Sequence, residues 1–241
     1  MMIRSIILLI ALVSPTFAFE LPSGSSQCLV GVADDWDSSS VVLTLYQKEK
    51  GEWKAASEPW KGRLGKKGMA WGLGFHPVPK GGEMKKEGDW KTPAGVFKLG
   101  GVWGYERSVK KHPKMYYRQI TSRDLWVEDP DSKHYNRHLV LKHEPSSSWE
   151  KQQQMRQDDP AHSLKLFIGH NAPPKVVSGA GSSIFFHIWR DGGARPTAGC
   201  TVMDRSKLEW MISKIDPIKR PLYVLLPKAE YEKRRKDWKL P

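Results

Sequence analysis

Ser183-Ile184-Phe185-Phe186-His187-Ile188-Trp189-Arg190 runs on, past Asp191, into Gly192-Gly193-Ala194-Arg195-Pro196-Thr197-Ala198-Gly199-Cys200. A histidine ends an apolar strand, a glycine-rich loop follows, and a Gly-Cys pair closes it ahead of a helix. That helix starts at Asp204, a good N-cap, and carries Leu208, Met211, Ile212 and Ile215 on one face. Pro217 ends it, and Tyr223 to Leu226 reads as a last strand.

Moving outward, the strand signals outnumber the helical ones. Cys28 to Val32 and Val41 to Tyr46 are short runs rich in β-branched residues, separated by the turn-forming Asp34-Asp35-Trp36-Asp37-Ser38. Gly62, Gly65, Gly68, Gly72 and Gly74 alternate with Trp60, Trp71 and Phe75, which suits tight turns closed over by aromatic burial. Gly88 to Gly95 is turn chemistry leading into a strand at Val96 to Leu99. Residues 104 to 165 are polar, with strands expected at Trp126-Val127 and His138 to Lys142 and a short helix at Trp149 to Asp158. Leu164 to Ile168 and Ile184 to Ile188 read as buried strands. With no internal repeat and no long linker, the expectation is one β-rich domain with few helices.

Arg4, the apolar run Ile6 to Val13, and Thr16-Phe17-Ala18 have the layout of a secretory signal with a small-residue cleavage site. The run is too short to span a bilayer, which takes about 20 apolar residues. The expected division is a signal peptide over 1–18, a catalytic domain over 19–227 and a basic tail over 228–241. The rival is an uncleaved anchor, whereas a lipid anchor on Cys28 is disfavoured by its distance from the apolar run. No stable membrane insertion is expected after cleavage. Removing the signal leaves about 220 residues, enough for one substantial domain. The formal charge of +13 points an exported chain toward an anionic polymer such as a wall or membrane surface. Nucleic acid is set aside because of the signal, and the tail, with Arg234-Arg235-Lys236, reads as a solvated end.

The 241 residues contain two cysteines, Cys28 and Cys200, too few for a disulfide scaffold. They would block chemistry at Cys200 only by pairing with each other. A free thiol has a pKa of about 8.5, and a neighbouring imidazole such as His187 can take its proton. Gly199 lets a substrate approach the backbone, and its N–H with that of Cys200 is placed to face a developing oxyanion. The following helix N-terminus would favour negative charge there. Against this stands the ordinary reading, in which the cysteine is a small buried hydrophobe and the histidine is merely hydrogen-bonded. The glycine loop between the two tips the balance toward catalysis. His134, His138 and His143 suit no common zinc spacing, so neither a metal nor any cofactor is expected.

His187, then Thr197-Ala198-Gly199-Cys200, resembles the signature of the L,D-transpeptidase (YkuD-like) catalytic domain: a His, a spacer, then Ser/Thr-x-Gly-Cys. Gly88-Asp89-Trp90-Lys91-Thr92-Pro93-Ala94-Gly95-Val96-Phe97 is similar to the family's G-x-x-K-T-P-x-G-x-F segment. Asp129 to Arg137, Ile168-Gly169-His170-Asn171, His187-Ile188-Trp189-Arg190 and Pro196 to Cys200 resemble a proteobacterial subgroup with a Pro-Thr-x-Gly-Cys motif. The likeness covers roughly residues 27 to 227. It implies a mainly β, sandwich-like domain with a few short helices, located in the periplasm or cell envelope. By it Cys200 attacks a carbonyl in a peptidoglycan stem peptide and the terminal D-residue leaves. His187 acts as base and then acid, oriented by the backbone carbonyl of Ile188. An amine of a neighbouring stem resolves the thioester, cross-linking the wall and serving cell shape. Carbapenem-type compounds are the inhibitors the likeness implies.

Two positions depart from the common motif: Ala198 stands where the family has His, and Val202 where it has Asn or Arg. Both remove polar groups near the nucleophile, so the thioester chemistry stands while the choice of donor and acceptor is open. Arg190 and Arg195 flank the loop and suit bidentate recognition of stem carboxylates. Thr197, Tyr135 and Asn136 complete the expected substrate-binding set by likeness, and His170 and Asn171 border a cleft or form a turn. The alternatives are an L,D-carboxypeptidase or endopeptidase, in which water resolves the same thioester, and a non-catalytic wall-binding module. A papain-like protease lacks its local cysteine motif here.

Overall fold

The structure, a computed structural model, describes residues 19–241; the expected signal peptide lies outside them. The N-terminal strands are β1 (Gln27–Ala33), β2 (Ser40–Glu49), β3 (Glu52–Ala55), β4 (Trp60–Arg63), β5 (Met69–Trp71) and the long β6 (Thr92–Gly104). The polar middle holds β7 (Tyr117–Gln119), β8 (Asp124–Trp126), β9 (His138–Val140) and the helix α1 (Ser148–Gln152). Next come β10 (Leu164–Ile168), β11 (Phe185–Ile188), β12 (Thr201–Met203) and α2 (Arg205–Lys214), then β13 (Leu222–Pro227) and α3 (Lys228–Arg235). The expectation of a mainly β domain with a few short helices is met.

The strands run in the order β1-β13-β6-β10-β11-β12-β4-β2-β3, and β1 also pairs with β2, closing the sheet on itself. Among the described residues, closure leaves only the short strands β3, β5 and β7 of this sheet with a free edge, and short edges are poor templates for aggregation. In β2 Val41, Leu43 and Leu45 are buried while Val42 is half exposed, the alternation of a strand with one wet face. β10, by contrast, is buried at every position. Its neighbours fix the register that matters here: Lys165 stands opposite His187 in antiparallel β11, and His187 opposite Val202 in parallel β12. A parallel pair cannot be joined by a tight turn, so the glycine loop must carry the chain back to the start of β12. That return delivers Cys200 to the doorstep of β12.

Three hydrophobic clusters hold the sheet. The largest contains Leu43, Phe97, Phe186 and Tyr223 together with Leu208, Met211 and Ile212 of α2 and Ile215 just past its end. Asp204 caps that helix through Ser206 N–H, as expected from the sequence. A second joins Cys28, Trp71 and Val224 to Trp238 and Leu240. The C-terminal tail is therefore not a solvated end: α3 folds back, Trp238 packs edge-on against Phe19, and the Arg234 guanidinium lies over Trp71 and Trp238. The third cluster, Trp103, Ile120, Trp126, Met155, Phe167 and Phe185, lies directly behind Cys200. No helix among the described residues is long and apolar enough to cross a membrane.

Candidate active site

The pairing of β11 with β12 begins at Phe186 and Thr201. One step earlier, Cys200 comes level with Phe185, two residues behind His187. Side chains alternate across a strand, so Cys200, Phe185 and His187 leave the same face. Two residues of rise and one strand spacing put the two Cβ atoms about 8 Å apart, within the combined reach of an extended thiol and imidazole. Both side chains line one cavity of about 380 Å³, together with Lys165, Glu128, Trp126 and Arg190.

His187 is buried, and its Nδ1 lies 2.9 Å from the carbonyl of Ile188. A carbonyl only accepts, so Nδ1 carries the proton and Nε2 keeps its lone pair, the tautomer a general base needs. Burial, reinforced by the charges of Lys165 and Arg190 and opposed by the bond to Ile188, lowers its pKa to about 4. Cys200 Sγ receives the N–H of Phe185 at 3.5 Å and donates to the carbonyl of Ser183 at 3.4 Å. Burial lifts its pKa to about 11 against the pull of the Phe185 amide and Lys165. Between those values both groups are neutral, so the resting pair is thiol and imidazole rather than a preformed ion pair. Cys28 is free and fully buried in the second cluster, and burial pushes its thiol far up. The two cysteines do not pair.

The loop residues differ in part from expectation. Gly199 has φ of +151°, and a Cβ there would meet the carbonyl of Lys91 at 3.0 Å, so the position favours glycine. Its N–H, expected to face an oxyanion, instead donates to Thr197 Oγ1 at 3.0 Å, and Thr197 in turn donates to the carbonyl of Cys200 at 2.7 Å. Thr197 lines the cavity while clasping the turn that presents the cysteine. The helix begins at Arg205, behind the expected Asp204 cap, but β12 lies between it and Cys200. Three strand residues span about 10 Å, and a helix dipole acts within its first turn, so α2 does not act on the thiol.

Both arginines are occupied. Arg190 pairs with Asp159, Nε to Oδ2 at 2.8 Å, and its NH2 reaches His162 Nε2 at 3.0 Å. Arg195 pairs with Asp191 at 2.5 Å on the surface and is 71% exposed, outside the cavity wall. Tyr135 and Asn136 sit behind the wall rather than on it. Asn136, 1% exposed, accepts from Trp126 Nε1 and Ser183 N–H and donates to the carbonyls of His170 and Asn171. Tyr135 donates to Glu87, which also accepts from Ser182 Oγ at 2.7 Å. His170 and Asn171 are buried and form the turn that Asn136 braces. Among the histidines considered for a metal, His138 bonds Asp124 at 2.8 Å and His143 bonds Glu150 at 2.9 Å.

Lys165, Glu128 and His162 were not singled out from the sequence. His162 stacks on His187 with ring centroids 4.5 Å apart. Because Arg190 can only donate, His162 Nε2 accepts, and burial with the adjacent His187 lowers its pKa to about 2. No local signal marks His162 or Glu128. Lys165 left a trace, a lone cation inside the apolar run Leu164 to Ile168.

A family model described as the L,D-transpeptidase catalytic domain (YkuD) matches residues 37–224, which include both Cys200 and His187. The chain belongs to this family. A search of the curated proteins finds no match to the YkuD-family chain. Among solved structures it is similar to the helical cell shape determining protein Pgp2 from Campylobacter jejuni, at 16% identity and a TM-score of 0.39. That match covers 84% of this chain and 48% of the other, so the chain spans about half the length of that protein.

Proposed function

We propose that this YkuD-family domain opens an amide bond of a peptidoglycan stem peptide through a thioester on Cys200. The observation that supports it is the shared cavity wall of Cys200 and His187, with the Ile188 carbonyl holding the imidazole in its base form. As Sγ attacks the scissile carbonyl carbon, its proton passes to His187 Nε2. The C–N bond then breaks, His187 returns that proton to the departing amine, and the acyl group stays on sulfur. Gly199 keeps the backbone open to the substrate, and the amide of Cys200 faces the oxyanion. The reading extends to an exported enzyme of the periplasm or envelope, in the subgroup marked by Pro196-Thr197-Ala198-Gly199-Cys200.

The family's reaction hands the acyl group to an amine of a neighbouring stem and makes a cross-link. Water resolving the same thioester makes an L,D-carboxypeptidase or endopeptidase instead, and the replacement of the common motif's polar residues by Ala198 and Val202 leaves the choice of acceptor open to it. Defined muropeptides separate the outcomes. Dimers mean transfer, shortened monomers mean hydrolysis, and Cys200→Ala yields neither. Substrates left intact by the wild type, or turned over equally by Cys200→Ala, contradict the reading.

A further inference from the structure

Lys165 has no part in the proton transfers described above, yet it lies at their centre. It stands directly across the antiparallel ladder from His187, so both side chains leave the same face of the sheet. It is 5% exposed and lines the Cys200 cavity. Its ammonium donates to the carbonyl of Met155 at 3.2 Å and lies 5.7 Å from the centre of the Phe185 ring. These partners are neutral. The other cations of the cavity wall are neutralised at contact distance, Lys85 by Asp89 and Arg190 by Asp159; Lys165 feels Glu128 and Asp159 only from farther away, and its ammonium has no carboxylate in contact among the described residues. A buried ammonium with one carbonyl partner is unfavourable unless an anion reaches it. A leucine would fill the same space without that cost.

The chemistry indicates where the anion comes from. His187 delivers its proton to the leaving amine, so the nitrogen of the departing residue stands at the imidazole. The α-carboxyl carbon of that residue is two bonds from the nitrogen, which brings it within reach of the cavity wall that Lys165 shares with His187. Arg190 and Arg195, the residues the sequence suggested for this task, already hold Asp159 and Asp191.

We propose that Lys165 is a specificity-determining residue whose ammonium receives the terminal α-carboxylate of the leaving residue, so that a donor must end in a free carboxylate one residue past the scissile bond. The inference rests on the thioester reading above and deepens it. It selects terminal-residue removal, with or without transfer, over cleavage inside a longer chain, where the same position is a neutral amide.

The test uses two tetrapeptide stems, identical except that one ends in a carboxylate and the other in a carboxamide. Release of the terminal residue is followed with wild type, Lys165→Met and Lys165→Arg. The wild type is expected to favour the acid by at least about 30-fold in kcat/KM, the scale of a buried charge-assisted hydrogen bond. In Lys165→Met the ratio falls to within about threefold because only the acid is slowed, and Lys165→Arg retains most of the preference. A wild type indifferent to the terminus overturns the proposal. So does a Lys165→Met variant that slows both donors equally, which assigns the lysine to the thiolate or the fold. Should Lys165→Met not fold, the acid-to-amide ratio of the wild type decides alone. If neither donor reacts and Cys200 takes up no acyl group, the thioester reading itself has failed, and this proposal with it.

Discussion

Asn136 offers a sharp test of how the site is built. The left-handed backbone there, with φ of +52°, is one that asparagine tolerates and alanine resists. Its side chain makes four buried bonds: from Trp126 Nε1 at 2.9 Å, from Ser183 N–H at 3.0 Å, to the Asn171 carbonyl at 2.8 Å and to the His170 carbonyl at 3.2 Å. Asn136→Ala strips all four and leaves two donors and two carbonyls buried without partners. At about 1 kcal/mol for each, the loss is roughly 3–4 kcal/mol. The left-handed backbone adds about 1 kcal/mol for alanine, a term that Asn136→Gly avoids. For a domain of this size the alanine variant should melt roughly 10–15 °C lower. Tryptophan fluorescence during urea and thermal unfolding measures both variants. Activity falls as well, because Ser183 is the residue whose carbonyl receives the Cys200 thiol. If Asn136→Ala loses less than about 1 kcal/mol, or raises KM with stability intact, the side chain touches substrate and the bracing account is refuted.

Three further outcomes follow from the same structure. With its pKa near 11, Cys200 should be alkylated by iodoacetamide at a rate that climbs about tenfold per pH unit from pH 7 to 10; a plateau by pH 6 would reveal a preformed thiolate–imidazolium pair. His76 and His187, each lowered to about 4, and His170, lowered to about 3, are all held down first by burial. The unfolded chain binds protons that these folded imidazoles refuse, so stability is complete above about pH 6.5 and declines on acidification toward pH 4, by up to about 1.4 kcal/mol per pH unit for each group. A melting temperature unchanged from pH 7.5 to 5 would contradict that burial. Trp238→Ala should cost about 3 kcal/mol in urea unfolding despite its place in a charged tail, and a loss under about 1 kcal/mol would show the tail to be loosely held.

Much of the fold was legible because burial writes itself into short apolar runs. Residues 28–32, 41–46 and 164–168, and the face of α2 with its Asp204 cap, all lie where their periodicity puts them. In β6 the apolar pattern marks only Val96 to Leu99, because Gly100 and Gly101 interrupt it, while the strand itself is far longer. Those glycines stay in the strand because aromatic side chains, Phe167 and Tyr116, cover them. The tail misled for a different reason. Its charged residues conceal two apolar anchors, Trp238 and Leu240, and Arg234 lies along the aromatic surface instead of pointing into solvent.

The site divides along the same line. Cys200 and His187 were visible because a glycine loop ties them together in sequence, and the strand register then places them on one face. The roles of Arg190, Arg195, Tyr135 and Asn136 were not visible. Whether such a side chain meets a ligand or a neighbour depends on partners such as Asp159, Asp191, Glu87 and Ser183, far away or unremarkable in the chain. Lys165 shows the converse. Its place in an apolar strand was plain, but its meaning required the ladder that sets it against His187.

The central claim, that the Cys200 sulfur becomes acylated, is tested most directly by intact mass spectrometry of the protein after exposure to a carbapenem. The account predicts a single covalent adduct that maps to Cys200 and is missing from Cys200→Ala. An unmodified native protein, or an adduct of equal yield on the alanine variant, would contradict it.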